Sequence, residues 1–123
     1  MSEAFQIRGG KQLHGEIKPQ GAKNEALQIL CAVLLTGEEV RIKNIPDIHD
    51  VNRLIEILGD FGVKITKNAH GDFTFKAEDV NFEYIKSKEF KKDGARLRGS
   101  IMLLGPMLAR YGEAYMPTPG GDK

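Results

Sequence analysis

The chain lacks several features by which common classes of protein are recognised. It has no tryptophan and a single cysteine, Cys31, among 123 residues, so an internal disulfide framework is excluded. It also lacks an excess of one charge, because 18 Lys and Arg residues are balanced by 17 Asp and Glu residues. A nucleic-acid clamp or a membrane-surface peptide needs a strong basic excess, so we expect neither kind of partner.

Long hydrophobic runs are missing as well. The longest apolar stretch, Ala26 to Leu35, is interrupted by Gln28 and is well short of the ~18 residues that a membrane span needs. No signal-peptide pattern is recognisable, and the single cysteine suits a reducing compartment. With 41% hydrophobic and 28% charged residues, we expect one globular domain in the cytoplasm.

What is present in the first third is a mixture of strand and helix patterns. Phe5–Gln20 alternates loosely and predicts a short strand pair. Glu25–Leu35 is apolar on nearly every face, which predicts a buried helix that ends at Thr36-Gly37. Glu39–Ile45 alternates cleanly and predicts a strand that ends before Pro46.

The middle third predicts a helix followed by a hairpin. Asp50 has the position of an N-cap before Val51–Phe61, whose apolar residues recur at helical spacing. Asn68-Ala69-His70-Gly71 separates two short apolar runs, which is typical of a β-hairpin. The charged stretch Ala77–Asp93 predicts a solvated loop or a surface helix.

The last third repeats the pattern of the first. Ala95–Tyr111 predicts a second long apolar helix, in which Pro106 predicts a kink or a break, and Glu113–Met116 predicts a strand. With an offset of 75 residues, Lys23 falls on Arg98, and each part reads basic residue, apolar helix, Gly-Glu, strand. This order predicts an internal repeat in an α/β or α+β fold with helices covering a sheet.

Cations at the starts of the two apolar helices are the clearest candidates for chemistry. Lys23 and Asn24 open the first helix, where free N–H groups and partial positive charge suit a phosphate or a carboxylate. The alternative is a plain cap, with Asn24 as N-cap and Lys23 solvated. Arg98 has the matching place on the second helix; its guanidinium suits the same anions, and a surface arginine is the alternative.

The other reactive side chains give weaker signals. His14, His49 and His70 have no partner at metal-ligand spacing, so no metal site is expected. Cys31 lies inside the first apolar helix and predicts an inert core thiol. Asp122 follows a Gly-Gly pair, where a carboxylate suits acid–base work or a simple turn.

Four blocks of the sequence are recognisable together: Gly21–Leu30, Asn44–Val51, Arg98–Gly112 and Pro119–Gly121. In this order they resemble the enolpyruvyl transferase family, and the resemblance runs from about Phe5 to the last residue. The shikimate-pathway branch, whose acceptor is shikimate 3-phosphate, typically has serine where this chain has Asn24, so the resemblance favours the branch that uses a UDP-sugar. A stand-alone binding module without catalysis is the alternative of a different class.

This resemblance implies an inside-out α/β barrel of two similar domains, built from repeated helix–strand units with buried helices. Residues 1–20 would be strands of the C-terminal domain and residues 21–123 part of the N-terminal domain, so the chain would be the first part of a longer enzyme. The implied reaction transfers the enolpyruvyl group of phosphoenolpyruvate to the 3-hydroxyl of UDP-N-acetylglucosamine and releases phosphate, which is the first committed step of peptidoglycan synthesis. No metal or organic cofactor is implied.

The resemblance also implies roles for individual residues. Lys23 would bind phosphoenolpyruvate and act in catalysis, Asn24 would bind the UDP-sugar, and Arg98 would line the same cleft. Met102 stands where some members have a tryptophan against the sugar nucleotide. Asp122 stands where many members have the cysteine that fosfomycin alkylates, which predicts a catalytic acid and fosfomycin resistance. Without the downstream catalytic groups, we expect this piece to be inactive and to self-associate through surfaces meant for the missing domain.

Overall fold

A computed structural model describes residues 3–118, and these residues form a mixed α/β structure. The predicted fold class is therefore confirmed. The helices are α1 (Lys23–Ala32), α2 (His49–Asp60), α3 (Phe82–Ile85), α4 (Lys88–Arg96) and α5 (Leu104–Tyr111), with a first 3₁₀ helix (Val33–Leu35) after α1 and a second (Arg98–Leu103) before α5. The strands are β1 (Glu39–Ile42), β2 (Lys64–Ala69) and β3 (Asp72–Lys76).

The three strands form one antiparallel sheet in the order β1-β3-β2. Phe75 in the central strand pairs with Val40 on one side and Ile65 on the other, and it is fully buried. Because side chains alternate along a strand, this face covers the core while the opposite face is polar. The hairpin prediction is confirmed, with His70 and Gly71 as the two turn residues between β2 and β3.

Helix α2 supplies the centre of the core, as its amphipathic spacing predicts. Val51, Leu54 and Leu58 are completely buried. The assignment of Asp50 as N-cap is wrong, because α2 begins at His49, two residues before the predicted Val51, and no side chain caps it. The Asp50 carboxylate instead pairs with Lys23 across the interface with α1.

The prediction of a single helix over Ala95–Tyr111 is also wrong. The backbone of Leu97 is extended (φ −111°, ψ 104°), so α4 ends and the second 3₁₀ helix begins there. Pro106 lies in the first turn of α5, where its missing N–H is tolerated. The break therefore falls upstream of the proline, at a buried leucine that no local signal marks.

Charged residues 77–93 contain helical structure with one strongly apolar anchor. Ser87 caps α4, since its Oγ accepts the N–H of Phe90 at 3.2 Å. The Phe90 ring is fully buried and packs edge-on against Phe61, with 4.9 Å between ring centroids. The expected surface helix is thus confirmed, and Phe90 attaches it to the core.

One predicted strand pair and one predicted single strand are missing from the described residues. Neither Phe5–Gln20 nor Glu113–Met116 is in a strand, because a strand needs a hydrogen-bonded partner and neither run is paired in residues 3–118. The helix predicted to be buried all round also has an open side, with Ile29 41% exposed and Leu35 52% exposed. In the unpaired stretch Phe5–Gln20, four apolar side chains are at least 88% exposed: Phe5, Ile7, Leu13 and Ile17.

The start of α1 is fixed against the end of β1 by a close backbone approach. A Cβ at Gly21 would lie 2.0 Å from the carbonyl oxygen of Asn44, so only glycine fits there. Asn44 itself has a positive φ of 58°, which ends β1 before the predicted Ile45. This contact sets the position from which α1 begins at Lys23.

Candidate functional site

Lys23, Asn24 and Arg98 lie on one surface depression of about 370 Å³. Lys23 and Asn24 are the first residues of α1, and Arg98 is the first residue of the second 3₁₀ helix. The structure thus brings together three side chains that are up to 75 residues apart in the chain. The remaining lining residues are Leu27, Asp50, Arg96, Leu97 and Gly99.

Close packing between α1 and the second 3₁₀ helix creates this meeting point. A Cβ at Gly99 would lie 3.4 Å from the Leu27 side chain, so the two helices approach closely just inside the depression. Ala22 precedes α1 in an extended conformation, and no side chain caps the helix. Asn24 is therefore not the N-cap, and the free N–H groups of the first turn remain available to a ligand.

The depression carries an excess of positive charge. Its lining includes Lys23, Arg96 and Arg98 but only one carboxylate, Asp50. Lys23 Nζ lies 2.5 Å from Asp50 Oδ2, with the two side chains 50% and 40% exposed. Because an ion pair this accessible to water is weak, an anionic ligand can compete with Asp50 for the ammonium group.

A second depression, of about 360 Å³, adjoins the first. It lies between α2 and the end of α4, and the two depressions share Asp50, Arg96 and Leu97. These three residues therefore form the boundary between the two depressions. The other residues lining the second depression are His49, Asn52, Arg53 and Glu56.

The remaining candidates lie elsewhere. Met102 is in the second 3₁₀ helix, 45% exposed, and does not line the depression. Asp122 is outside the described residues 3–118. Cys31 is buried, and burial raises the pKa of its thiol to about 12, which suits the expected inert core thiol.

Between residues 3 and 118, no group of three His, Cys, Asp or Glu side chains is arranged to hold a metal ion. Within the same residues, no helix has both the length and the apolar character required to cross a membrane.

Asp50 and Arg96 belong to this site although the sequence analysis did not select them. Asp50 was predicted as a helix cap, and its pairing with Lys23 depends on the packing of α2 beside α1. Arg96 is separated from Arg98 by one residue, and this spacing was the available signal. Arg96 and Arg98 lie on either side of Leu97, where α4 ends, and both line the depression.

The fold and the site together define the class of the protein. The chain belongs to the EPSP synthase (3-phosphoshikimate 1-carboxyvinyltransferase) family, whose sequence model matches residues 7–123. Its structure is similar to the crystal structure of the enolpyruvyl transferase NikO from Streptomyces tendae, with a TM-score of 0.60 and 25% sequence identity. That match covers 85% of this chain and 23% of the other, so the chain has part of an enolpyruvyl transferase fold.

Within the family, the chain is similar to proteins of one particular kind. It is 55% identical over 120 residues to UDP-N-acetylglucosamine 1-carboxyvinyltransferase of Bacteroides thetaiotaomicron and 52% identical to that of Porphyromonas gingivalis. Each match covers 98% of this chain but only 28% of the relative. The chain therefore spans little more than a quarter of the length of these relatives.

Proposed function

We propose that the whole protein containing this chain transfers the enolpyruvyl group of phosphoenolpyruvate to the 3-hydroxyl of UDP-N-acetylglucosamine, with release of phosphate. The observation that carries the proposal is the meeting of Lys23, Asn24 and Arg98 on one positively charged depression. The 55% identity to carboxyvinyltransferases that are named for this UDP-sugar supports the choice of acceptor.

The charges of the depression match those of phosphoenolpyruvate, which carries a phosphate and a carboxylate. Lys23 exchanges its contact with Asp50 for one of these anionic groups, and Arg98 binds the other. Positive groups fixed in place also stabilise the charge that develops as phosphate leaves. The amide of Asn24, which both donates and accepts hydrogen bonds, binds the UDP-sugar.

Asp122 supplies a proton in this proposal. The 3-hydroxyl of the sugar loses its proton to a base outside this chain, and its oxygen adds to C2 of phosphoenolpyruvate while the methylene carbon C3 takes a proton from Asp122. The intermediate then gives a C3 proton to a base, and the double bond re-forms as phosphate leaves with the electrons of the C2–O bond. An aspartate acts as this acid only if burial or nearby negative charge keeps it protonated near neutral pH. Because a carboxylate is a poorer nucleophile than a thiolate toward an epoxide, we expect the enzyme to resist fosfomycin.

The exposed N-terminal stretch supports the proposed domain boundary. We infer that residues 1–20 pair as strands with a C-terminal domain and that residues 21–123 are part of an N-terminal domain. Phe5, Ile7, Leu13 and Ile17 would otherwise remain in water at a cost, since burying such side chains is favourable by about 2 kcal/mol each. The 123-residue piece is expected to self-associate through these side chains and to be inactive.

The cellular role follows from the proposed reaction. Transfer to UDP-N-acetylglucosamine begins peptidoglycan synthesis, which links the protein to cell-wall formation, cell shape and cell division. The reaction takes place in the cytoplasm. The shikimate-pathway reaction remains the second candidate, because the matching family model is described by that activity. Shikimate 3-phosphate in place of the UDP-sugar distinguishes the two.

Phosphate release from phosphoenolpyruvate tests the proposal. The protein expressed from its whole reading frame and the 123-residue piece are each assayed with UDP-N-acetylglucosamine and with shikimate 3-phosphate. We expect the whole protein to release phosphate with UDP-N-acetylglucosamine as acceptor and not with shikimate 3-phosphate. Lys23→Met should abolish it, while Lys64→Met, which removes a lysine paired with Glu78 on the sheet, should not. Release with neither acceptor would refute the proposed activity and favour a non-catalytic binding module.

A further inference from the structure

An ion pair joins α2 to the last turn of α4, behind the candidate site. Arg53 Nη2 on α2 donates to Asp93 Oδ1 on α4 at 2.5 Å. The other Asp93 oxygen lies 3.4 Å from the Tyr84 hydroxyl, which also lies 3.3 Å from Asp60 Oδ2. The Arg53 and Asp93 side chains are only 29% and 23% exposed, so water screens this pair less than the Lys23–Asp50 pair.

Tyr84 is suited to act as a permanent donor in this network. Burial first, and then the neighbouring carboxylates of Asp60 and Asp93, raise the pKa of Tyr84 well above its usual value. Its hydroxyl therefore stays protonated, and its single hydrogen is shared between Asp60 Oδ2 and Asp93 Oδ2. Both oxygens of Asp93 consequently face a donor, one from α2 and one from α3.

The segment that follows Asp93 leads directly into the site. Asp93 is in the last turn of α4, and Arg96 and Arg98 follow on either side of the buried Leu97. The bend is closed by a buried hydrogen bond, in which Ser100 Oγ donates to the carbonyl of Gly94 at 2.7 Å. A shift of Asp93 therefore moves both arginines, because the chain between them is folded tightly.

The other end of the ion pair is equally close to the site. Arg53 is one helical turn beyond Asp50 on α2, and Asp50 pairs with Lys23. The contact between Arg53 and Asp93 thus links the side of the depression that carries Lys23 to the side that carries Arg98. Both Arg53 and Arg96 line the second depression, which adjoins the first and shares Asp50, Arg96 and Leu97 with it.

We propose that Arg53 and Asp93 are positioning residues, which set the location of Arg98 relative to Lys23 for binding of an anionic substrate. This inference rests on the proposed function. Phe90 already holds α4 in the core, but apolar contacts are non-directional. The charged hydrogen bond is directional and fixes the rotation of the last turn of α4, from which the two arginines extend.

Steady-state kinetics of the whole protein test the inference. Asp93→Asn removes the charge without changing the size of the side chain, and misplacing Arg98 should raise KM for phosphoenolpyruvate roughly tenfold. The kcat value should change less than about threefold, because Arg98 holds the anion in both the ground state and the transition state. Asp72→Asn is the matched control, since it breaks the Arg41–Asp72 pair on the sheet.

A double substitution separates positioning from a general loss of stability. If the pair acts as a unit, Arg53→Gln combined with Asp93→Asn should raise KM no more than either change alone. A KM for Asp93→Asn equal to that of Asp72→Asn, at a similar loss of melting temperature, would overturn the inference and leave the proposed function intact.

Calorimetry of phosphoenolpyruvate binding distinguishes failure of the proposed reaction from failure of the proposed positioning role. If the wild-type protein binds phosphoenolpyruvate without turnover, the proposed reaction fails, but roughly tenfold weaker binding by Asp93→Asn would still support the positioning role. Equal binding by the Asp93→Asn and Asp72→Asn variants would overturn it. Absence of any binding by the wild-type protein would overturn both proposals.

Discussion

Two segments of the molecule, residues 23–35 and residues 98–111, start alike and end differently. We call them the first and second helical segments. Each begins with a cation on the same depression, Lys23 in one and Arg98 in the other. The first runs from α-helix into 3₁₀ helix, whereas the second runs from 3₁₀ helix into α-helix. The first is followed by a paired strand, β1, and the second by residues 113–116, which are unpaired in the described chain.

The difference shows what a repeated sequence pattern can and cannot specify. The run of apolar residues and the basic residue at its start suffice to give a helical segment that delivers a cation to the site. A strand needs hydrogen bonds from a second chain segment, and β1 obtains them from β3. In residues 3–118, each cation is thus followed by a helical segment, but only the first segment is followed by a paired strand.

The largest expected effect concerns the start of the first helical segment. Gly21→Ala would bring a Cβ within 2.0 Å of the Asn44 carbonyl oxygen, so the backbone must move and we expect a loss of about 3 kcal/mol in the free energy of unfolding. Urea unfolding followed by circular dichroism measures it. At the same offset of 75, the second segment has Arg96 in place of this glycine. An unchanged unfolding midpoint would show that the close approach is not required.

The next effect compares equivalent positions within the two segments. Leu27 is 9% exposed and Met102, 75 residues later, is 45% exposed. Leu27→Ala should lower the free energy of unfolding by about 2 kcal/mol, and Met102→Ala by less than about 0.5 kcal/mol. Urea midpoints of the two variants check this, and equal losses would mean that the two helical segments are buried to the same extent.

An acid-dependent loss of stability is expected for β1, the paired strand that follows the first helical segment. A hydrogen bond from Arg41 in β1 is the main cause that lowers the pKa of Asp72 in β3 from 3.8 to about 2. Because the folded-state pKa is the lower one, this contribution to stability is present above pH 4 and is lost as the pH falls toward 2. Thermal melts between pH 5 and pH 2 should therefore show a steeper loss for the wild type than for Asp72→Asn. Parallel curves would argue against the contact.

The smallest effect should be a stabilisation of the second segment. Gly105 is exposed in the first turn of α5, and a Cβ there would meet nothing within 4 Å. Gly105→Ala should raise the free energy of unfolding by about 0.5 kcal/mol, because alanine is the better helix former. Urea unfolding of Gly105→Ala and Gly21→Ala, measured together, compares a glycine that has room for a Cβ with one that has none. A loss of stability at Gly105 would indicate contacts that α5 makes with other parts of the protein.

Much of the fold could be predicted from local patterns. The amphipathic period over Val51–Phe61 and the hairpin around His70-Gly71 are both present in the structure, because each depends on neighbouring residues. The break at Leu97 could not be predicted, since it depends on burial of that side chain against the rest of the protein. The strand pair predicted over Phe5–Gln20 is absent, because a strand needs a hydrogen-bonded partner and no segment of residues 3–118 pairs with this stretch.

The candidate site, too, has features that local sequence predicts and features that it does not. Charge and periodicity are local properties, so the sequence alone identifies the cations Lys23 and Arg98 and their places at the starts of apolar segments. Tertiary packing brings both cations to one depression, pairs Asp50 with Lys23 instead of leaving it as a helix cap, and places Asp93 beside Arg53. These contacts join residues 27 to 75 positions apart, and such distances depend on how the elements pack together.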